Sequence, residues 1–290
     1  MKLRNNRYTR RISLPHECRP QSIDRKENHL NRNHYYIWIL PHEMEPLTEL
    51  PESLKSILST TEIKISKTYH SKRNERRFIV TRIILRLLLT ACSREKMPSQ
   101  WRIAQSSFGR PFITNQARFP YYFNITHSAQ YSSILISKNP VSGVDIELID
   151  YTKKIDELAH TALSQLELRD YKSLSNKEKV AYFYWIWTLK EAYLKSLGTG
   201  ISNEINSLSF YLDMHRNINL KIDPDKCRNM VNWDFFSYCL DRNLCISIAA
   251  KKNKKEIPIP TIKTITSIER NLKIKWENID ESRFVKYCQS

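Results

Sequence analysis

Asp145 and Glu147 stand two residues apart in the segment Gly143-Val144-Asp145-Ile146-Glu147-Leu148. On a strand, that period turns both carboxylates to one face and Val144, Ile146 and Leu148 to the other. Two neighbouring acids repel, which calls for something positive between them. A third acid, Glu191, lies in residues 180–202, VAYFYWIWTLKEAYLKSLGTGIS. At 100° per residue this stretch forms a helix with Val180, Phe183, Tyr184, Trp187 and Leu194 on one face, and Glu191 falls within that apolar stripe. A carboxylate there loses hydration and requires a cation, several donors or a metal. Lys190 and Lys195 project to either side, where they can reach an anion. Three acids flanked by lysines point to an oxygen-ligand site for Mg²⁺ beside a phosphate-bearing ligand. The plain alternatives are an i,i+4 pair of Glu191 with Lys195 and solvated strand-edge charges at Asp145 and Glu147.

The 290 residues, 41% apolar and 11% aromatic, can bury a substantial core and argue against disorder. A net charge of +17 draws polyanions: nucleic acid, an anionic membrane surface, an acidic protein or a phosphorylated cofactor. The six cysteines are scattered with no C-x-x-C pair, as expected of reduced thiols in a cytoplasmic protein. No apolar run reaches the ~18 residues of a membrane span, and the basic start lacks the apolar core of a secretory leader. There are four glycines, at 109, 143, 198 and 200, where average usage of about 7% would give ~20. Each is expected to mark a tight turn or a close approach.

Those positions must be held by surrounding elements. Residues 1–33 read as a basic mobile arm, 34–141 as an N-terminal half, 142–250 as a C-terminal half carrying the acids, and 251–290 as a basic tail. The first half opens with a buried strand at 35–40. A helix over 54–69 carries Lys64, and an amphipathic helix covers 76–92. Arg73, Arg76, Arg77, Arg82 and Arg86, on or just before the latter, form either a solvated face or a phosphate cradle. Short strands alternate with turns over 100–139. In the second half, a helical region over 155–174 contains Glu167 and the central helix follows. Strands are expected at 208–212, 218–222, 233–239 and 245–250. Helix followed by strands occurs twice, which allows two similar halves meeting near residue 141.

Gly109-Arg110-Pro111 alone is a turn, and His127 in Phe123-Asn124-Ile125-Thr126-His127-Ser128 alone is an ordinary histidine. In order and at compact spacing, F-G-R-P-F, F-N-I-T-H-S, G-V-D-I-E and W-T-L-K-E-A-Y-L-K are far more specific. The chain resembles the Sfp-type 4′-phosphopantetheinyl transferases over approximately residues 35–250, most strongly from 108 to 201. The resemblance implies an α+β fold of two similar halves, each a small antiparallel sheet packed with a helix, with the active site in the cleft between them. It implies transfer of phosphopantetheine from coenzyme A to a serine of an acyl- or peptidyl-carrier protein, releasing adenosine 3′,5′-bisphosphate. By similarity, Asp145, Glu147 and Glu191 would hold Mg²⁺, Lys195 would assist the departing phosphate, and Lys190 would contact a neighbouring one. Thr126 and His127 would meet the nucleotide 3′-phosphate. Lys64, Arg77, Arg110 and Pro111 would contribute cofactor contacts, with Arg110 standing where the family usually has lysine. Glu167 aligns with a glutamate proposed as general base. The expected assembly is a monomer that takes an acidic carrier protein and binds no nucleic acid. The rivals are a basic nucleic-acid-binding protein and a non-catalytic coenzyme A or carrier-protein binder on the same fold.

Overall fold

The computed structural model describes residues 34–43, 52–93, 95–118, 120–198, 205–222, 233–252, 260–268, 274–279 and 283–285. The expected arm at 1–33 and Gly200 lie outside them.

The N-terminal half is built on β1 (Tyr35–Pro41), whose six leading residues, YYIWIL, are all buried. A strand covered on both faces reads as a continuous apolar run, and this one is. Tyr36, Trp38 and Leu40 pack under a long helix; Tyr35, Ile37 and Ile39 face the second half. Two short helices, α1 (Glu52–Lys55) and α2 (Thr60–Ser66), precede that long helix, α3 (Lys72–Ser93). The sequence predicts one helix over 54–69. Ser59 interrupts it: its hydroxyl accepts from the Glu62 amide while the Glu62 carboxylate accepts from the Ser59 amide, a capping box that starts a new helix. A hairpin of β2 (Ile103–Gln105) and β3 (Pro111–Ile113) follows, then β4 (Tyr122–His127) and β5 (Tyr131–Ser137).

The C-terminal half runs through β6 (Ser142–Leu148), α4 (Asp156–Ala162), α5 (Gln165–Ser173), α6 (Asn176–Leu197), β7 (Leu208–Leu212), β8 (Ile218–Ile222), β9 (Trp233–Leu240) and β10 (Leu244–Lys251). The helical region over 155–174 is likewise divided by a capping box, Ser164 with Glu167. Helix α6 ends at Gly198, which takes the left-handed cap conformation at φ +73° and donates its amide to the Leu194 carbonyl.

Residues 251–290, expected to be a basic tail, contribute three strands: β11 (Thr261–Ile268), β12 (Ile274–Asn278) and β13 (Phe284–Val285). Strand β11 lies parallel to β1 and extends the first sheet to the order β12-β11-β1-β5-β4, so that sheet is mixed rather than purely antiparallel. Strand β13 joins the second sheet, order β13-β9-β10-β6. The β-branched run Thr261-Ile262-Lys263-Thr264-Ile265 suits a strand covered on both faces: Ile265 is fully buried in the first core and Ile262 in the core between the sheets.

The result is α+β, with the two sheets face to face and one long helix outside each. Residues Val144, Ile146 and Ile248 meet Ile37, Ile39 and Leu135 between the sheets. Cys245 and Ala249, on the other face of β10, pack with Ile186, Leu189 and Ala192 of α6. Gly143 brings α6 onto β6: a Cβ there would collide with the Ala192 carbonyl oxygen and stand 2.6 Å from the Ser196 amide. Both obstacles are backbone, so neither can swing aside. Gly143→Ala is expected to destabilise the protein by about 1–3 kcal/mol, read from the urea midpoint, because it overpacks a rigid contact.

Candidate active site

The edge of one sheet, β4, meets the edge of the other, β6, and side chains join them. Three alternate residues, Asn124 and Thr126 of β4 and Ser128 just beyond it, all reach across. Asn124 Oδ1 accepts from the Val144 amide at 3.1 Å, and Thr126 Oγ1 donates to Asp145 Oδ1 at 2.7 Å. Ser128 Oγ accepts from the Leu148 amide at 3.0 Å and donates to Glu147 Oε2 at 2.8 Å. The polar alternation of N-I-T-H-S is thus a seam that replaces the missing backbone ladder. Without it the β6 amides would be buried unpaired.

Helix α6 lays Lys195 over this seam. Its Nζ donates to Thr126 Oγ1 at 2.8 Å and to Asp145 Oδ1 at 2.5 Å. Glu191, one turn back, has Oε2 4.0 Å from the same ammonium. Asp145 and Glu191 are buried, and one oxygen of each, Asp145 Oδ2 and Glu191 Oε1, has no hydrogen-bond partner. Buried carboxylate oxygens are seldom left so. Burial and the repulsion of Asp145 push the Glu147 carboxyl up to about 7. Burial likewise raises that of Glu191, against the pull of Lys195. One lysine therefore serves three acids. The donor set, carboxylate oxygens with two left free, suits a hard divalent cation. Among the described residues no three His, Cys, Asp or Glu side chains already converge on a metal-sized position, which is consistent with the Lys195 ammonium lying on Asp145.

A pocket of 560 Å³ opens nearby, lined by His42, Lys72, Arg73, Arg76 and Arg77 among others. Arg76 and Arg77 are half-buried there. His127, at the end of β4, is exposed as a residue, and its Nδ1 lies 2.7 Å from Ser132 Oγ. Partial desolvation, then Arg77, His42 and Lys195, hold its imidazole below the usual range. His127 thus lies within electrostatic reach of both Arg77 of the basic pocket and Lys195 of the acid cluster.

Other expected site residues are placed elsewhere. Lys190 is fully buried: its Nζ meets Glu167 Oε2 at 2.6 Å and the Ala162 carbonyl at 2.7 Å. The Glu167 carboxylate also accepts from the Ser164 and Phe210 amides, at 2.7 and 2.8 Å. Glu167 is therefore a helix cap and an inward ion-pair partner, and Lys190 its counter-charge. Both side chains are withdrawn from the surface and paired with each other and with backbone groups, which leaves neither facing the acid cluster as a general base or phosphate contact. Arg86 is buried against Glu62 at 2.6 Å and donates to the Pro98 and Trp101 carbonyls, so it is no part of a phosphate cradle. Arg110 donates to the Ser196 and Ser142 carbonyls and ties the β2–β3 hairpin, including Pro111, to the end of α6. Lys64 is exposed on α2 and does not line the basic pocket. The sequence reading missed His42 and Ser132. Ser132 comes beside His127 as its cross-strand partner in the β4–β5 hairpin, and His42 joins Ser132 only because the end of β1 meets that hairpin.

Two outcomes follow from the electrostatics. Lys190→Met strands a buried carboxylate and is expected to cost about 3–5 kcal/mol in a urea melt, marking a structural residue. The raised Glu147 carboxyl means that the native state binds more protons than the unfolded chain between pH 4.5 and about 7. Its contribution is therefore present at low pH and lost as pH rises through that window. In metal-free buffer, wild type should lose stability from about pH 5 to about pH 8 more steeply than Glu147→Gln.

Comparison with known proteins bears on the same residues. The family model described as the 4′-phosphopantetheinyl transferase superfamily matches residues 142–249, from the start of β6 to near the end of β10. The protein slr0495 of Synechocystis sp., named as a 4′-phosphopantetheinyl transferase, is 30% identical over 172 residues, covering 59% of this chain and 68% of its own. The 4′-phosphopantetheinyl transferase HetI of Nostoc sp. is 26% identical over 215 residues, with 74% and 86% covered. The enzyme Sfp of Bacillus subtilis is 26% identical over 175 residues, with 60% and 75% covered.

Proposed function

The chain belongs to the 4′-phosphopantetheinyl transferase superfamily, and from that premise we propose that its cleft moves phosphopantetheine from coenzyme A to a serine of an apo carrier protein. The observation that carries this reading is the under-neutralised trio of buried Asp145 and Glu191 and half-buried Glu147, with Lys195 against the first two. The nucleotide end of coenzyme A fits the basic pocket, with Arg77 and His127 toward its phosphates. The pyrophosphate then lies over the acids, where Asp145, Glu147 and Glu191 would hold Mg²⁺. That ion, when bound, neutralises phosphate oxygens and polarises the phosphorus under attack.

The chain's own groups do the rest. Thr126 orients Lys195, whose ammonium is drawn from Asp145 to the phosphate that departs. The serine oxygen bonds to the pantetheine-bearing phosphorus as the bond to the bridging oxygen breaks. Adenosine 3′,5′-bisphosphate leaves with that electron pair. Glu191 Oε2, released as Lys195 moves to the departing phosphate and not the oxygen offered to the ion, is suited to take the serine proton. Glu167 is not available for it. Buried acids and a lysine held by Thr126 keep the charges pre-aligned, which is what phosphoryl transfer chiefly needs.

The basic surface suits an acidic carrier protein, which the +17 charge would steer at low salt. Among the described residues no helix is long and apolar enough to cross a membrane. We place the reaction in the cytoplasm and expect one chain to suffice, since both halves of the cleft are in it.

The test is intact mass of an apo acyl- or peptidyl-carrier protein incubated with enzyme, coenzyme A and Mg²⁺. A gain of one phosphopantetheine group, abolished by chelation, is expected. Glu191→Ala should lower turnover by about 100-fold or more with the fold unchanged by circular dichroism. No mass gain on carriers from several pathways, with coenzyme A still bound, would leave a non-catalytic binder.

A further inference from the structure

His42, Ser132 and His127 form a continuous chain of hydrogen bonds from the wall of the basic pocket to the end of β4. His42 Nδ1 lies 3.3 Å from the Ala129 carbonyl and His42 Nε2 lies 2.8 Å from Ser132 Oγ. Ser132 Oγ in turn lies 2.7 Å from His127 Nδ1. Ser132 is fully buried, so no solvent competes for its hydroxyl.

The chemistry of the donors sets a direction for this chain. A carbonyl oxygen only accepts, so His42 Nδ1 carries a hydrogen; Arg73 donates to the same Ala129 carbonyl at 3.0 Å and holds it in place. With His42 neutral, its Nε2 is a lone pair and accepts from Ser132. The single Ser132 hydrogen is thereby used, so the serine oxygen accepts from His127, and His127 Nδ1 carries a hydrogen. In the neutral ring the other nitrogen, Nε2, is left as an acceptor on this exposed residue. Neutral rings are what the surroundings favour: Arg77 and Arg82 on α3, Lys195 on α6 and His42 itself face His127. Desolvation, Arg77 and Arg73 similarly hold His42 well below the usual imidazole range.

An imidazole that presents a lone pair cannot hydrogen-bond a fully ionised phosphate, which also only accepts. We infer that Ser132 and His42 are positioning residues that fix the His127 tautomer, so that the site takes up one proton with a nucleotide phosphate monoester. The proton comes from solvent and is shared between His127 Nε2 and a phosphate oxygen; no bond to phosphorus is made or broken. The inference rests on the reading above that His127 meets the nucleotide end of coenzyme A. It makes ligand affinity pH-dependent through a ring that, freed of the relay, would offer an N–H and bind without a proton.

The experiment is isothermal titration calorimetry of the full chain with adenosine 3′,5′-bisphosphate, at about pH 8, in two buffers of different ionisation enthalpy. The dependence of heat on buffer counts the protons taken up. Wild type is expected to take up about one, where the free phosphate is doubly ionised. Ser132→Ala and His42→Ala should each bind with an uptake near zero, because the His127 ring can then turn its hydrogen to Nε2. His42→Ala alters a half-buried residue outside any helix or strand and keeps the test open if the buried Ser132→Ala folds poorly. No uptake by wild type, or an uptake unchanged in both variants, would overturn the relay. His127→Ala separates the two levels. Weakened binding with no wild-type uptake removes the relay alone, whereas unchanged binding removes the His127 assignment and the relay with it.

Discussion

The cleft depends on one close approach of two backbones, α6 over Gly143. Because no side chain stands between them, the helix lies low enough for Lys195 to reach Asp145 and for Glu191 to sink beside it. The same approach puts the helix end within reach of Arg110, whose fork spans the Ser196 and Ser142 carbonyls. A longer distance between helix and strand would leave three acids apart and solvated. With it short, three acids are crowded into a poorly hydrated space with one cation, and the site is charged in both senses of the word.

Buried charge is used in two distinct ways in this molecule. Glu62 with Arg86, and Glu167 with Lys190, are closed sets. Their carboxylates also cap helices, and Arg86 and Lys190 each donate in addition to a backbone carbonyl. Such sets hold helices to neighbouring segments and are closed off from a ligand by their burial and mutual pairing. The cluster at β4, β6 and α6 is open. Its acids outnumber its lysine, two oxygens lack partners, and Glu147 holds its proton more tightly than an ordinary carboxylate. That contrast separates structural from functional charge more clearly than burial does, since all these groups are largely withdrawn from water.

Much of this was legible in the residues. The period-2 acids and the glutamate within an apolar helical stripe led to the cluster found, and YYIWIL to a strand covered on both sides. Glycine scarcity pointed to Gly143. The errors have physical causes. Lys190 and Glu191 are consecutive and so lie about 100° apart on the helix, which sends one into the second core and the other to the cleft. Glu167 belongs to a Ser-x-x-Glu box, a local signal that explains it fully without chemistry. The same box at Ser59 divides an expected helix. The strands beyond residue 260 were obscured by lysines and by isoleucines spaced three apart, yet Thr261 to Ile268 is rich in the β-branched residues that suit a strand. No local pattern could have shown that β11 would run parallel to β1 or that His42 would reach Ser132, because both depend on how distant segments meet.

The central claim is that the open acid cluster is a divalent-cation site that Lys195 vacates when the ligand arrives. The most direct test is a crystal structure with Mn²⁺ and coenzyme A, using the anomalous signal of the metal to place it. The account predicts a peak bound by Asp145 and Glu191 through the oxygens now lacking partners, with Lys195 turned from Asp145 to a phosphate. Coenzyme A in the cleft with no peak there, and Lys195 still on Asp145, would contradict it.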